Sequence, residues 1–368
     1  MASREFRAPG RVNLMGDHTD YNDGFVLPMA LDRACVVAVE PSADGVVRAT
    51  SSEMEGVVEV AADGCSEPRA VEPSWGRFVG GALQVLAGQG ARVRGATLHI
   101  SSSVPPGSGL SSSSALSVAL TLALADAGGL EVEGVDAARL ALAAEVAATG
   151  VPGGLMDQLA ALFGRAGHAL LIDCREPVVD PVPIAANVGV LVVHSGLPRT
   201  LAGSEYGARR AECEAVAAGL GLVALRDATP GQVAGSPRAR HVVAENARVE
   251  KTARALAAGD LDTLGGLLLE SHASLRDDYE VSTPELDVLV ELLVDSGAAG
   301  ARLTGAGFGG CVVALAPAAL AGDVLERAQQ RYRASTGLDP SGFVARAADG
   351  ATTSARGAAP SSARTPPR

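Results

Sequence analysis

The chain has 368 residues, enough for one large bilobed domain or two ordinary ones. Hydrophobic residues make up 47% and charged residues 20%, so a sizeable core can be buried. The net charge of −12 repels nucleic acid and anionic lipid, and no basic run interleaves with aromatics, which argues against both as partners.

The mean hydropathy of +0.22 comes largely from Ala and Val. The most apolar stretch, Ala115 to Ala125, is only about half as long as a bilayer helix needs. Met-Ala-Ser-Arg-Glu at the start has no apolar signal region, so a soluble, cytoplasmic protein is expected. Cys35, Cys65, Cys174, Cys213 and Cys311 are scattered singly, which predicts reduced thiols and no structural zinc. Lys251 is the only lysine. A Walker-type loop or a protein-kinase fold needs a lysine after a glycine loop or on a third strand. Lys251 instead sits in the helical run Arg248-Val-Glu-Lys-Thr-Ala-Arg254, so neither machinery is present.

In chain order, Phe25–Pro28, Ala34–Val39, Val46–Thr50 and Gly56–Ala61 read as short strands bounded by turn residues. Trp75–Ala87 has helical periodicity, and Gly95–Ser101 is strand-like. A Gly/Ser loop at 107–114 runs straight into an apolar helix to about Ala127, followed by helices over Asp136–Ala148 and Leu155–Phe163. Strands at 168–173 and 188–194 lead into helices near 203–219, 239–258, 260–277 and 284–296. Gly300–Thr304 and Cys311–Leu315 follow as strands, then a helix and a last strand at Phe343–Arg346. This order predicts an α+β chain of two lobes, residues 1–185 and 186–349. The tail, 350–368, is Ala/Ser/Thr/Pro/Arg-rich and is expected to be disordered.

Three segments carry candidate chemistry. Gly10–Gly24 packs Asp17, His18 and Asp20 into four residues, a set that suits the hydroxyls of a sugar; the same residues also fit a polar turn. Val104–Ala115 places glycines and serines between a strand and a helix, so that amide N–H groups and a helix N-terminus can hold phosphates without lysine; a capped flexible linker fits as well. Gly150–Gln158 puts Asp157 in a helix's first turn, where the dipole alone would favour a carboxylate. Glu145 has only small apolar neighbours in its helix and wants a partner such as a cation, unless it faces solvent. Gly300–Gly310 is a fourth glycine cluster, equally readable as a wide hairpin.

Together and in this order, from about Arg7 to Val344, these segments resemble the GHMP kinase superfamily, and within it the galactokinases. The resemblance implies a two-lobed GHMP kinase fold with the active site in the cleft between lobes, and transfer of the γ-phosphoryl group of ATP to the anomeric hydroxyl of galactose with Mg²⁺. It places the catalytic pair on Arg11 and Asp157, and the sugar contacts on Asp17, His18, Asp20, Gly154 and Tyr206. The nucleotide falls on Trp75 and on Pro106, Gly107, Ser108, Gly109, Leu110, Ser111, Ser112 and Ser113, although a lone tryptophan also fits a core. The Mg²⁺ ligands fall on Ser113, with Ser112 as the alternative, and on Glu145. The implied protein is a monomer or weak oligomer with no partner beyond its small substrates. Departures are Asp17 where Glu is usual, Gly153 where cysteine is common, and His194 where aspartate is common before Ser195-Gly. Asp17 keeps open another sugar substrate, such as N-acetylgalactosamine, arabinose or a uronic acid. A non-catalytic galactose and ATP sensor is a further alternative.

Overall fold

The computed structural model describes residues 3–197 and 202–355, with side chains left undescribed at 202–204 and 354–355. The first half is built on a six-stranded sheet of order β13-β1-β3-β6-β4-β5. It comprises β1 (Arg4–Asn13), β3 (Pro28–Pro41), β4 (Val46–Ser51), β5 (Val57–Ala61), β6 (Ala96–Ser102) and β13 (Thr352–Ala355). Only β4 and β6 run parallel. One face carries α1 (Arg77–Gly88), α2 (Ser112–Ala127) and α3 (Gly134–Thr149). These helices are rich in alanine and glycine, which lets them approach closely, and α2 is buried on nearly every side, as its unbroken apolar run requires.

A three-stranded sheet joins β2 (Phe25–Val26), β7 (His168–Asp173) and β8 (Val178–Pro183), with α4 (Met156–Phe163) packed beside it. The second half is an antiparallel sheet of order β10-β11-β9-β12, made from β9 (Val188–His194), β10 (Gly300–Thr304), β11 (Cys311–Pro317) and β12 (Ser341–Ala345). The central strands β9 and β11 are buried on both faces and read as continuous apolar runs. Around this sheet lie α5 (Ala202–Gly219), the short α6 (Pro230–Val233), α7 (Pro237–Ala258), α8 (Leu261–Asp277), α9 (Pro284–Asp295) and α10 (Ala321–Thr336). A third apolar cluster, including Val12, Met29 and Leu110 on one side and Val192, Val249 and Val313 on the other, cements the two halves together. Among the described residues, no helix is long and apolar enough to cross a membrane.

The structure departs from the sequence expectations in three places. β1 is a ten-residue strand that Pro9-Gly10 hid, because its pairing with β3 shifts register between Pro9 and Arg11. Residues 178–183 form β8 despite Pro181 and Pro183, tolerated because β8 is the edge of its sheet. The expected tail begins too early: Thr352–Ala355 pair with Arg4–Arg7. The rest of that expectation, residues 356–368, lies outside the described residues.

Candidate active site

The register shift in β1 re-aims Arg11, as bulges beside functional sites commonly do. The Arg11 amide donates to the Leu110 carbonyl at 3.1 Å, and its Nη1 donates to the Gly109 carbonyl at 2.7 Å. The glycine loop is thereby fastened to β1. In the loop, Gly109 and Ser111 both take left-handed conformations, with φ of 82° and 58°, unusual for serine. Ser111 leads directly into α2, whose first amides lack intrahelical acceptors and carry the positive end of the helix dipole. Ser108 and Leu110 bury their side chains, so these two residues could meet a nucleotide only through backbone.

Arg11 reaches across to α4. Its Nε donates to Asp157 Oδ1 at 2.8 Å and its Nη2 to Oδ2 at 2.9 Å, a two-pronged pair. The hydroxyl of Ser111 also donates to Oδ2, and that of Ser114 stands 3.5 Å from it. Residues far apart in sequence, Arg11, Gly109, Ser111 and Asp157, therefore form one hydrogen-bonded unit. Sequence reasoning placed Ser111 and Ser114 in the loop but missed their contacts with Asp157.

Arg11, Asp17, His18, Asp20, Gly154 and Tyr206 line one cavity of about 360 Å³ together with Asp157, Ser113 and Glu145. Its walls come from the β1–β2 connection, α2, α3, α4, α5 and the β10–β11 turn. His18 Nδ1 lies 2.9 Å from the Tyr21 hydroxyl, which lies 2.7 Å from that of Tyr279. His18 Nε2 is shielded from solvent and has no hydrogen-bond partner among the described residues. Burial, reinforced by His241 and Arg302, pushes the His18 pKa well below the usual imidazole range. The neutral ring thus offers one uncommitted nitrogen on the cavity wall. Tyr206 on α5 stacks edgewise against Tyr21, their centroids 5.2 Å apart.

Asp17 is turned inward instead. It accepts from Asn13 Nδ2 and from the Gly305 amide, each at 3.1 Å, and pairs with fully buried Arg302. The Gly300–Gly310 segment is thus a hairpin whose turn grips the loop that carries Asp17, His18 and Asp20. Arg302 was missed from sequence, although an arginine in the middle of an apolar strand was the signal for it.

Asp20 approaches Gly154 so closely that a Cβ there would lie 1.9 Å from Asp20 Oδ2. Gly154→Ala is accordingly expected to swing the Asp20 carboxylate aside and to raise at least about tenfold the KM for a substrate held in this cavity. Desolvation, helped by the charge of Asp157, raises the Asp20 pKa to about 7. The folded form therefore holds a proton that the unfolded chain loses near pH 4, and this group withdraws stability as pH rises from about 4 to 7. Asp20→Asn is expected to stabilise the ligand-free protein by roughly 1–2 kcal/mol at pH 8 and by little at pH 4. Urea unfolding midpoints at the two pH values measure this.

Glu145 on α3 faces the same cavity, neither fully buried nor on the open surface. Gln158 Nε2 donates to it at 2.8 Å. Desolvation pushes its pKa upward, against hydrogen bonds from Ser113 and Ser114. Ser113 lines both this cavity and a second one, while Ser112 lines only the second. That second cavity, about 190 Å³, holds Trp75, Phe78, Met54 and Pro106. Trp75 is fixed there by a hydrogen bond from Nε1 to the Glu55 carbonyl at 3.0 Å. The apolar slot, the glycine loop, Ser113 and Asp157 follow one another toward the cavity lined by Asp17, His18 and Asp20, an order that suits a nucleotide laid with its phosphates toward an acceptor.

Comparison with known proteins places the chain in a family. Residues 2–41 match the galactokinase galactose-binding signature, residues 77–165 the GHMP kinase N-terminal domain, and residues 252–334 the GHMP kinase C-terminal domain. A galactokinase of Roseiflexus sp. is 44% identical over 359 residues, covering 94% of this chain and 91% of that protein. One of Chloroflexus aurantiacus is 47% identical over 331 residues, covering 86% and 84%. The crystal structure of Lactococcus lactis galactokinase complexed with galactose superposes with a TM-score of 0.89 at 33% identity, over 95% of each chain. A mevalonate kinase structure, with a TM-score of 0.69 at 18% identity over 93% of this chain and 98% of that one, shares the fold. The signature, the two domains and the near full-length relatives together establish that this chain belongs to the galactokinase family of GHMP kinases.

Proposed function

We propose that the protein transfers the γ-phosphoryl group of ATP to the anomeric hydroxyl of galactose, giving galactose 1-phosphate and ADP. The single observation that carries this reading is the Arg11–Asp157 pair at the meeting point of the sugar-suited cavity and the glycine loop. The anomeric oxygen forms a bond to the γ-phosphorus while the bond to the bridging oxygen of ADP breaks, and ADP leaves with that electron pair. The hydroxyl proton passes to the Asp157 carboxylate, whose Oδ1 is engaged by Arg11 alone among the described residues. Arg11 orients Asp157 and faces the transferring phosphoryl group, so most of the catalysis is positioning and charge stabilisation. His18 Nε2 and the Asp20 carboxylate bind sugar hydroxyls, and Tyr206 closes the wall beside them. Asp17, committed to Arg302 and Gly305, holds the shape of this loop and presents little spare acceptor capacity to the sugar.

The residues also fit a divalent cation. Glu145 is a carboxylate pressed into a poorly solvated wall beside Ser113, and a cation would relieve that desolvation. Among the described residues no group of three or more His, Cys, Asp or Glu is placed to hold a metal. One carboxylate and one hydroxyl suit Mg²⁺, which commonly takes its remaining ligands from phosphates and water. Bound there, Mg²⁺ would supply charge neutralisation at the β- and γ-phosphates.

We read residues 1–185 and 186–349 as the two lobes, a division supported by β9 opening the second sheet at Val188. A cytoplasmic setting is supported by five free cysteines. Incubation with MgATP and galactose tests the central claim: galactose 1-phosphate and ADP should appear in equal amounts. The departure at Asp17 favours one second reading, in which another sugar is the better acceptor. ADP release across galactose, N-acetylgalactosamine, arabinose and galacturonic acid separates the two. ATP-dependent product with none of these would leave a sensor.

A further inference from the structure

α7 lies against the β1–β2 connection, the loop that carries Asp17, His18 and Asp20. The backbone pairing that extends β1 ends where the Leu27 amide donates to the Met15 carbonyl at 2.9 Å. The next amide in the chain, that of Gly16, donates instead to Glu245 Oε1 at 3.0 Å. Gly16 has a φ of 97°, and a Cβ there would lie 2.8 Å from Val249 on the same helix. Glycine is therefore what lets the loop turn this close to α7. Two more backbone groups of the loop meet the helix. His241 Nε2 donates to the Asp17 carbonyl at 3.1 Å, and the Phe25 amide donates to Asn246 Oδ1 at 2.9 Å.

Glu245 is the charged member of this set, and it is fully buried. Besides Gly16, it accepts from the Ser271 hydroxyl of α8 at 2.8 Å and from Arg248 Nε at 2.7 Å. Burial alone would raise its pKa, but Arg248, with His241 and Arg302, outweighs that and holds it at about 2. At neutral pH Glu245 is thus an ionised, acceptor-only group, and such an acceptor grips an amide about twice as strongly as a neutral one. The Gly16 carbonyl is held as well, by the Thr19 hydroxyl at 2.8 Å. Gly16 is fixed on both sides immediately before Asp17. Among the described residues neither Arg11, Asp157 nor the glycine loop hydrogen-bonds to α7.

We propose that Glu245 is a positioning residue for phosphoryl transfer: through the Gly16 amide it fixes the loop that presents His18 and Asp20, and so sets the affinity for the sugar without entering the chemical step. This rests on the reading of the cavity lined by His18 and Asp20 as the sugar site. Two side chains converge on sugar hydroxyls only while the backbone between Met15 and Asn22 keeps one shape. A loop freed to sample other shapes loses affinity in proportion to the time it spends in them. Asp17 remains tied to Arg302 and Gly305, so the loop stays attached when Glu245 is removed. What changes is its pose.

Steady-state kinetics with galactose and MgATP tests this. The variant is Glu245→Met combined with Arg248→Met, which removes the carboxylate without stranding its cation; apolar replacement of a buried ion pair is commonly tolerated. The KM for galactose is expected to rise at least about tenfold, with kcat and the KM for ATP within about threefold of wild type. Glu245→Gln keeps an oxygen for the Gly16 amide and should recover most of the galactose affinity. Ser271→Ala takes a donor from the same carboxylate oxygen but leaves the loop its tether. It should lower the urea midpoint with both KM values unchanged, which separates loss of stability from loss of loop position. If the double variant fails to fold, Glu245→Asp decides. It keeps the charge beside Arg248 but draws the carboxylate back from Gly16, and the galactose KM should rise at least about fivefold. A galactose KM unchanged in the folded variants, or a KM for ATP that rises by the same factor, overturns the assignment. Wild-type protein that makes no galactose 1-phosphate overturns the reading of the sugar site itself, an outcome distinct from any ratio between variants.

Discussion

Asp157→Asn is expected to lower kcat by about a thousandfold while sugar and nucleotide dissociation constants stay within a few-fold of wild type. Asparagine keeps the size of the side chain and one oxygen facing Arg11, but it cannot take the sugar's proton, and it removes the charge that the Arg11 fork grips. Arg11→Met is expected to behave differently, and the contrast is the informative part. It too should reduce kcat by at least about a hundredfold, because the transferring group loses a cation. It also releases the Gly109 carbonyl, so the loop loses a charge-assisted tether and the KM for ATP should rise about tenfold. Single-turnover rates combined with calorimetric binding separate the two effects. Near-wild-type turnover in Asp157→Asn would remove that residue from its role.

The second large effect is on stability. Arg302 is fully buried, donates to the Leu14 carbonyl at 2.9 Å, and pairs with Asp17, itself only 2% exposed. Arg302→Met leaves a buried carboxylate without its cation and the Leu14 carbonyl without the arginine's donor, a change that typically costs about 3–5 kcal/mol. The urea midpoint of the ligand-free protein should fall accordingly. Asp17→Asn added to Arg302→Met should recover part of the loss, because the orphaned charge is then gone. A midpoint unmoved by Arg302→Met would show that the pair does not hold this loop. The sugar's KM should rise in parallel, since His18 and Asp20 ride on the same loop.

Much of this was legible because local signals and tertiary roles coincide. The apolar run after Ser114 could only be a buried helix, so the serines ahead of it had to sit at an N-terminus, and Asp157 at the head of α4 followed the same logic. β4 and β5 were legible as short apolar runs bounded by turn residues. β1 was not legible because Pro9-Gly10 interrupts its pattern at the very bulge that aims Arg11. β8 was not legible because prolines argue against a strand until its place at a sheet edge is known. Arg302 and Asp17 stand 285 positions apart, and Thr304 and Asn13 stand 291 apart; such partners are brought together only by the packing of one half on the other. No local pattern announces such pairs. The same holds for Glu245, whose carboxylate meets an amide 229 positions away.

The pairing of Thr352–Ala355 with Arg4–Arg7 has a bearing on biosynthesis. Translation is vectorial, so the segment that flanks the strand bearing Arg11 reaches the growing fold only after the other described strands and helices have been made. Until then that strand offers a row of open amides and carbonyls, a template for mispairing in crowded surroundings. Removing the residues from Thr352 onward is therefore expected to lower the yield of soluble protein more than the specific activity of the molecules that do fold. Comparison of the soluble fraction and of activity per folded molecule checks this.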